Sequence, residues 1–156
     1  MNNSVNFNEL RKMAKAIKKS RPILGCIQIK DGKAYFSNSF YIVVMGGYEG
    51  VENTTIDMDN YLKLISEYPN LDQIIDRRFE KYPFEKVIYN DEVIYKNSSL
   101  PNSVWYIDNS IIKQIEKIIS IKKFVFDIEK VEMNYSIARY IVNDDLTIYF
   151  CIKRMS

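Results

Sequence analysis

The spacing of apolar residues changes near the N-terminus of the chain. Residues 8–19 carry apolar side chains every three to four positions, which predicts an amphipathic helix with Asn8 as its N-terminal cap. Residues 23–45 contain nearly continuous apolar runs interrupted by Asp31-Gly32, a dipeptide typical of a two-residue hairpin turn. This pattern predicts a helix followed by an antiparallel meander.

A similar order of elements follows in the middle of the chain. Residues 54–70 predict a short strand and then a helix that Asp59 caps and Pro69 ends. Residues 71–82 predict another helix, and residues 87–95 predict a hairpin. The middle segment is therefore an altered copy of the first unit.

The order returns in the last third of the chain. Residues 104–120 predict a strand and an amphipathic helix with an isoleucine-rich face, and residues 123–155 predict three strands. We therefore expect an α+β fold in which antiparallel sheets carry helices packed on one face, within a single domain. The approximate strand-helix-meander units are residues 5–48, 53–95 and 104–156 of the 156-residue chain.

Composition agrees with a folded globular protein, since 47% of the residues are hydrophobic and 27% are charged. Cys26 and Cys151 each lie inside an apolar run, which predicts buried, unpaired thiols in a reducing compartment. The sequence shows no secretion signal and no apolar run near the roughly 18 residues that a membrane span needs. We therefore expect a cytoplasmic protein without membrane contact.

The residue types that most enzymes use are missing. The chain has no histidine, which excludes histidine-dependent triads and histidine metal sites, and it has no glycine-rich phosphate-binding motif. Asp57 and Asp59 lie at a predicted helix start, and Asp144 and Asp145 lie at a predicted turn, so capping and turn chemistry explain these acidic pairs. We expect no enzyme activity, no catalytic residue, no metal site and no cofactor.

Charge is unevenly distributed along the chain. Residues 1–35 contain eight Lys or Arg and two acidic residues, whereas residues 49–92 contain five and eleven. A basic patch on the first helix is a candidate nucleic-acid-binding site, and a solvated helix face is the alternative interpretation. The candidate residues are Arg11, Lys15, Lys18 and Lys19.

Aromatic residues are abundant, with 12 Tyr, 8 Phe and 1 Trp. In strands such residues are usually core or cross-strand contacts. Those near expected loops are candidate anchors for a protein partner instead. These candidates are Tyr48, Tyr68, Tyr82 and Phe84.

Four segments, taken in order, resemble the DNA polymerase sliding clamp. They are RPILGCIQIKDGKAYF (21–36), TIDMDNYLKLI (55–65), EYPNLDQII (67–75) and TIYFCIKRM (147–155). The resemblance implies a domain built from strand-helix-meander units whose helices face DNA. It also implies a non-catalytic clamp-like binding module in DNA-handling machinery, acting by protein docking or by weak nonspecific DNA contact.

The sequence leaves a second hypothesis open. A small phage or mobile-element protein that blocks a host nuclease, such as an anti-CRISPR or other anti-defence inhibitor, would also lack catalytic residues. Its acidic segment at residues 49–92 would cover a basic nucleic-acid channel. The expected partners are therefore a protein of the replication or defence machinery, DNA, or a second copy of the chain in a homo-oligomer.

Overall fold

The computed structural model describes residues 5–38, 41–60, 62–64, 68–71, 79–89, 91–97, 105–119, 121, 125–129 and 135–154. Within these ranges lie two α-helices, α1 (Phe7–Lys18) and α2 (Asn109–Ile118), and a short 3-10 helix at Pro22–Gly25. The strands are β1 (Cys26–Lys30), β2 (Lys33–Ser37), β3 (Tyr41–Met45), β4 (Thr54–Asp57), β5 (Lys63–Leu64), β6 (Phe79–Pro83), β7 (Glu85–Tyr89), β8 (Glu92–Asn97), β9 (Trp105–Asp108), β10 (Val125–Glu129), β11 (Tyr135–Asn143) and β12 (Leu146–Arg154).

The strands of the described ranges form one antiparallel sheet that branches at β12. One path runs β5-β4-β1-β2-β3-β12-β11-β10-β6, and a second path leaves the far end of β12 through β9 and β8 to β7. Only Phe84 separates β6 from β7 in the chain, so it joins the ends of two branches. The prediction of an α+β fold with antiparallel sheets is confirmed.

Both helices pack on the same face of the sheet. The buried stripe of α1 contains Leu10 and Ala14, and that of α2 contains isoleucines at 111, 112, 115 and 118. These side chains share one core with strand residues such as Val43 and Phe150. The backbone N–H of Asn6 donates to the Ile118 carbonyl oxygen at 2.7 Å, so the start of α1 lies beside the end of α2. The predicted placement of helices on one face is confirmed.

The opposite face of the sheet carries a smaller apolar cluster. Its buried members come from β2, β3, β11 and β12, and Leu71 packs against them. They are Tyr35, Ile42, Val44, Ile137 and Tyr149. Strand alternation explains this division, because successive side chains point to opposite faces and both faces of the central strands are apolar.

The hairpin prediction at Asp31-Gly32 is confirmed. Asp31 has φ 50° and Gly32 has φ 81°, the positive values that a type I′ turn requires at both central positions. Asp91 has φ 63° in the turn between β7 and β8, as expected for the second predicted hairpin. Both cysteines are free thiols as predicted, but only Cys26 is buried; Cys151 is half-buried.

Three predicted element boundaries were wrong at the start of the chain and in the middle unit. Helix α1 is capped by Asn6, whose side chain accepts from the Glu9 N–H at 3.2 Å, and not by Asn8. The meander predicted from the apolar runs of residues 23–45 begins only at Cys26, because Pro22 starts a turn of 3-10 helix. Residues 72–78 lie outside the described ranges, but the end of the predicted 71–82 helix is strand β6.

The predicted helix after Asp59 is also wrong, because Lys63 and Leu64 form β5 and pair with β4. The Asp57 carboxylate accepts hydrogen bonds from the Asp59 and Asn60 N–H groups at 2.8 and 3.4 Å. The Asp57 N–H in turn donates to the Leu62 carbonyl oxygen at 2.9 Å. These bonds close a tight β4–β5 turn instead of starting a helix.

Candidate nucleic-acid interface

The four basic residues predicted to bind nucleic acid have different environments in the structure. Arg11 lies against the turn between β4 and β5, where its Nε donates to the Met58 carbonyl oxygen at 3.1 Å. Its Nη2 donates to the Asp59 carbonyl oxygen at 3.4 Å. Because these bonds join α1 to the turn, Arg11 has a structural role in this conformation.

Lys18 forms an ion pair with Asp57 on β4. The Lys18 Nζ lies 2.6 Å from Asp57 Oδ2, and the exposed fractions of the two side chains are 32% and 7%. The pKa of Lys18 is raised, chiefly by its hydrogen bond to Asp57. Lys18 therefore holds the end of α1 against the sheet, and its charge is already compensated.

Asp57 is stabilised as a carboxylate despite its burial. Desolvation alone would raise its pKa, but the hydrogen bond from Lys18 and the two backbone N–H donors of the turn outweigh it. The net result is a lowered pKa. The carboxylate thus fixes the turn and α1 at once.

Gly25 explains how the end of α1 comes so close to the 3-10 helix. A Cβ added at Gly25 would lie 2.7 Å from the Lys18 Cβ and 2.9 Å from its Cγ. The Gly25 carbonyl oxygen also accepts from the Met58 N–H at 3.0 Å. A residue without a side chain is therefore needed where the 3-10 helix, α1 and the β4–β5 turn meet.

The lysines left facing outward come from both helices. Lys12 and Lys15 are exposed on α1, Lys19 is exposed directly after its last residue, and Lys113 and Lys117 are exposed on α2. Since the apolar stripes of both helices contact the same sheet face, these lysines project from the outer side of one helical layer. We call these five residues the helical lysine surface.

Acidic neighbours partly compensate two members of this surface. Lys12 Nζ lies 3.2 Å from Glu9 Oε1, and Lys15 Nζ lies 3.9 Å from Asp59 Oδ1. Within the described ranges, Lys19, Lys113 and Lys117 form no ion pair. The surface therefore combines open and compensated positive charges.

The sequence prediction found only part of this surface. Lys15 and Lys19 belong to it, whereas Arg11 and Lys18 are held by the β4–β5 turn and by Asp57. Lys113 and Lys117 were missed, and Lys12 belongs to the same basic helix but was left out of the candidate set. The helical periodicity of both helices would have identified them, because they occupy positions opposite the buried stripes.

The aromatic partner-binding prediction needs correction at two positions. Tyr68 is buried, and its hydroxyl oxygen accepts from the Ser37 N–H at 2.9 Å. Phe84 is buried with its ring centroid 5.5 Å from that of Phe126. Both side chains therefore belong to the protein interior and cannot anchor a partner in this conformation.

Of the other two aromatic candidates, Tyr48 is less exposed than expected, and the side chain of Tyr82 lies outside the described residues. Tyr48 is half-buried against the main core, and burial raises its pKa. Tyr82 lies in β6, where its backbone pairs with that of Phe126 in β10. The side chain of Tyr82 lies outside the described part of the structure. Neither observation assigns a partner to these residues.

No group of three or more His, Cys, Asp or Glu within the described ranges could hold a metal ion. Neither α1 nor α2 has the length and apolar character needed to cross a bilayer.

In comparisons with known proteins, the chain matches no family model, no curated protein and no solved structure.

Proposed function

We propose that this protein is a non-catalytic, clamp-like binding module of cytoplasmic DNA-handling machinery. Its helical lysine surface contacts the phosphate backbone of DNA without sequence preference. The observation that carries this proposal is the joint placement of α1 and α2 on one sheet face, with lysines of both helices on the outer side. The ordered sequence resemblance to sliding clamps adds support, because it implies helices that face DNA.

The chemistry of the surface favours backbone contact over base recognition. Lysine side chains bind phosphates as mobile point charges and carry no sequence information. Base stacking requires exposed aromatic rings. The large, exposed apolar side chains of the described ranges are all aliphatic: Val51, Leu62, Ile88 and Ile141. We therefore expect weak, sequence-independent binding that falls steeply with salt.

Fluorescence anisotropy with a labelled DNA duplex, titrated at several salt concentrations, tests this proposal. If all five lysines each neutralise one phosphate, the slope of log K against log salt is about −4.5, and compensated lysines make it shallower. Replacing Lys19 and Lys113 together by Glu should abolish binding at moderate salt. Unchanged binding in this double variant would refute the proposed surface.

A matched control separates local contact from net charge. Lys33 is exposed on β2, outside the helical layer, so Lys33→Glu makes the same charge change away from the surface. We expect Lys33→Glu to weaken binding much less than Lys113→Glu. Equal weakening by both variants would indicate a general charge effect without a defined interface.

The same protein can be tested for the inhibitor hypothesis. Affinity capture from a bacterial lysate should recover polymerase or clamp-loader components if the protein docks on replication machinery. A recovered defence nuclease whose activity the protein blocks, combined with absent DNA binding, would replace the proposed function with inhibition.

A further inference from the structure

Two acidic residues of the β4–β5 turn have separate roles. The Asp57 carboxylate accepts two backbone hydrogen bonds and pairs with Lys18, so the fold depends on it. The Asp59 carboxylate makes one described contact, the 3.9 Å approach to Lys15, and 41% of the Asp59 side chain is exposed. The Asp59 side chain therefore contributes little to the fold.

The backbone nevertheless fixes where Asp59 lies. Its N–H donates to the Asp57 carboxylate at 2.8 Å, and its carbonyl oxygen accepts from Arg11 at 3.4 Å. The carboxylate is thus held beside α1 at the edge of the helical lysine surface. A fixed negative charge at this position attracts Lys15 and repels any phosphate that approaches the same lysine.

We infer that Asp59 weakens the binding of DNA to this surface. Its carboxylate competes with the DNA phosphates for Lys15. This inference rests on the proposed function, because it concerns the affinity of the same interface. A ligand must displace an internal carboxylate before it gains Lys15, whereas Lys19 and Lys113 are open. Weak binding suits a module that must move along DNA or exchange partners.

The test compares Asp59→Asn with wild type in the same duplex anisotropy assay. An exposed ion pair is worth up to about 1 kcal/mol, so we expect Asp59→Asn to tighten binding about two- to five-fold at low salt. The gain should shrink as salt rises. Asp144→Asn is the matched control, since Asp144 is exposed in the β11–β12 turn, and it should change affinity less.

A double-mutant cycle assigns the effect to Lys15. In a Lys15→Gln background, Asp59→Asn should give a much smaller gain, because the competing lysine is gone. The urea midpoint of Asp59→Asn should fall by no more than the loss of one exposed ion pair explains, because its carboxylate makes no described hydrogen bond. A gain that persists unchanged in the Lys15→Gln background would overturn the inference.

The outcomes also separate this inference from the proposed function. If wild type binds, lysine variants weaken binding and Asp59→Asn behaves like Asp144→Asn, the inference falls and the proposed function stands. If neither wild type nor Asp59→Asn binds the duplex, both fall.

Discussion

Phe126 is the residue at which replacement should reveal how the branches of the sheet are held together. It is fully buried on β10, and its ring meets three other aromatic rings edge to face. The centroid distances are 5.5 Å to Phe84, 5.7 Å to Tyr140 and 5.2 Å to Phe150. These partners lie in the β6–β7 connection, in β11 and in β12.

The expected loss of stability follows from these contacts. Phe126→Leu keeps most of the apolar burial but removes three ring pairs, each worth about 0.5–1.5 kcal/mol beyond burial. With partial relaxation of the site, we expect a loss of about 2–3 kcal/mol in the free energy of unfolding. Since domains of this kind are stable by roughly 5–15 kcal/mol, the variant should remain folded.

Urea titration provides the assay, followed both by the fluorescence of the single tryptophan, Trp105, and by far-ultraviolet circular dichroism. Ile88→Ala is the control, because Ile88 is 79% exposed on β7 and should cost less than about 0.5 kcal/mol. Combining Phe126→Leu with Phe84→Leu should give a coupling energy above about 0.5 kcal/mol. A cost no larger than that of Ile88→Ala, or an absent coupling, would refute the reasoning.

The same titrations examine the prediction of a single domain. Phe84 joins the ends of two sheet branches and packs on Phe126, so the whole core should unfold in one transition. Fluorescence and circular dichroism should therefore give one midpoint in wild type and in both variants. Separate midpoints would contradict a single cooperative unit.

Three further replacements test the local structure around α1 and the first hairpin. Gly25→Ala should destabilise the protein by about 1–2 kcal/mol in urea, because overpacking against Lys18 costs about 1–3 kcal/mol and the stiffer unfolded chain offsets about 0.4–1 kcal/mol. Because the pKa of Asp57 is lowered, its stabilisation is complete above the ordinary carboxyl value and is lost as the pH falls through the lowered one. Asp57→Asn should therefore lower the urea midpoint at neutral pH, and a difference from wild type that persists in strong acid would contradict this assignment. Gly32→Ala should lower the thermal midpoint by an amount equivalent to about 1 kcal/mol, since φ is 81° there, and an unchanged midpoint would argue against the type I′ turn.

The sequence alone was sufficient to predict those elements whose conformation depends on their own residues. The periodicity of α1 and α2 identified their buried stripes, because a helix must turn its apolar side toward the core. The Asp31-Gly32 turn was equally readable, since few dipeptides adopt two consecutive positive φ angles. The three strands of the last meander were predicted from the pattern and the lengths of their apolar runs.

The middle unit could not be predicted in the same way because distant residues determine it. An aspartate before an apolar stretch is a normal helix cap, and the sequence around Asp57 and Asp59 matches that signal. In the structure, Arg11 binds the carbonyl groups of the turn and Lys18 binds Asp57. Contacts from α1 therefore stabilise a β4–β5 turn where local propensity favours a helix.

This nonlocal turn also decides which charges are available to a ligand. With the turn in place, two of the four predicted basic residues are held internally, and Asp59 faces Lys15. The remaining open lysines are Lys19 at the end of α1 and Lys113 and Lys117 on α2, so they come from two helices far apart in the chain. The proposed DNA-binding surface therefore requires both helices to be packed together, and a fragment containing α1 alone should bind DNA far more weakly than the whole chain.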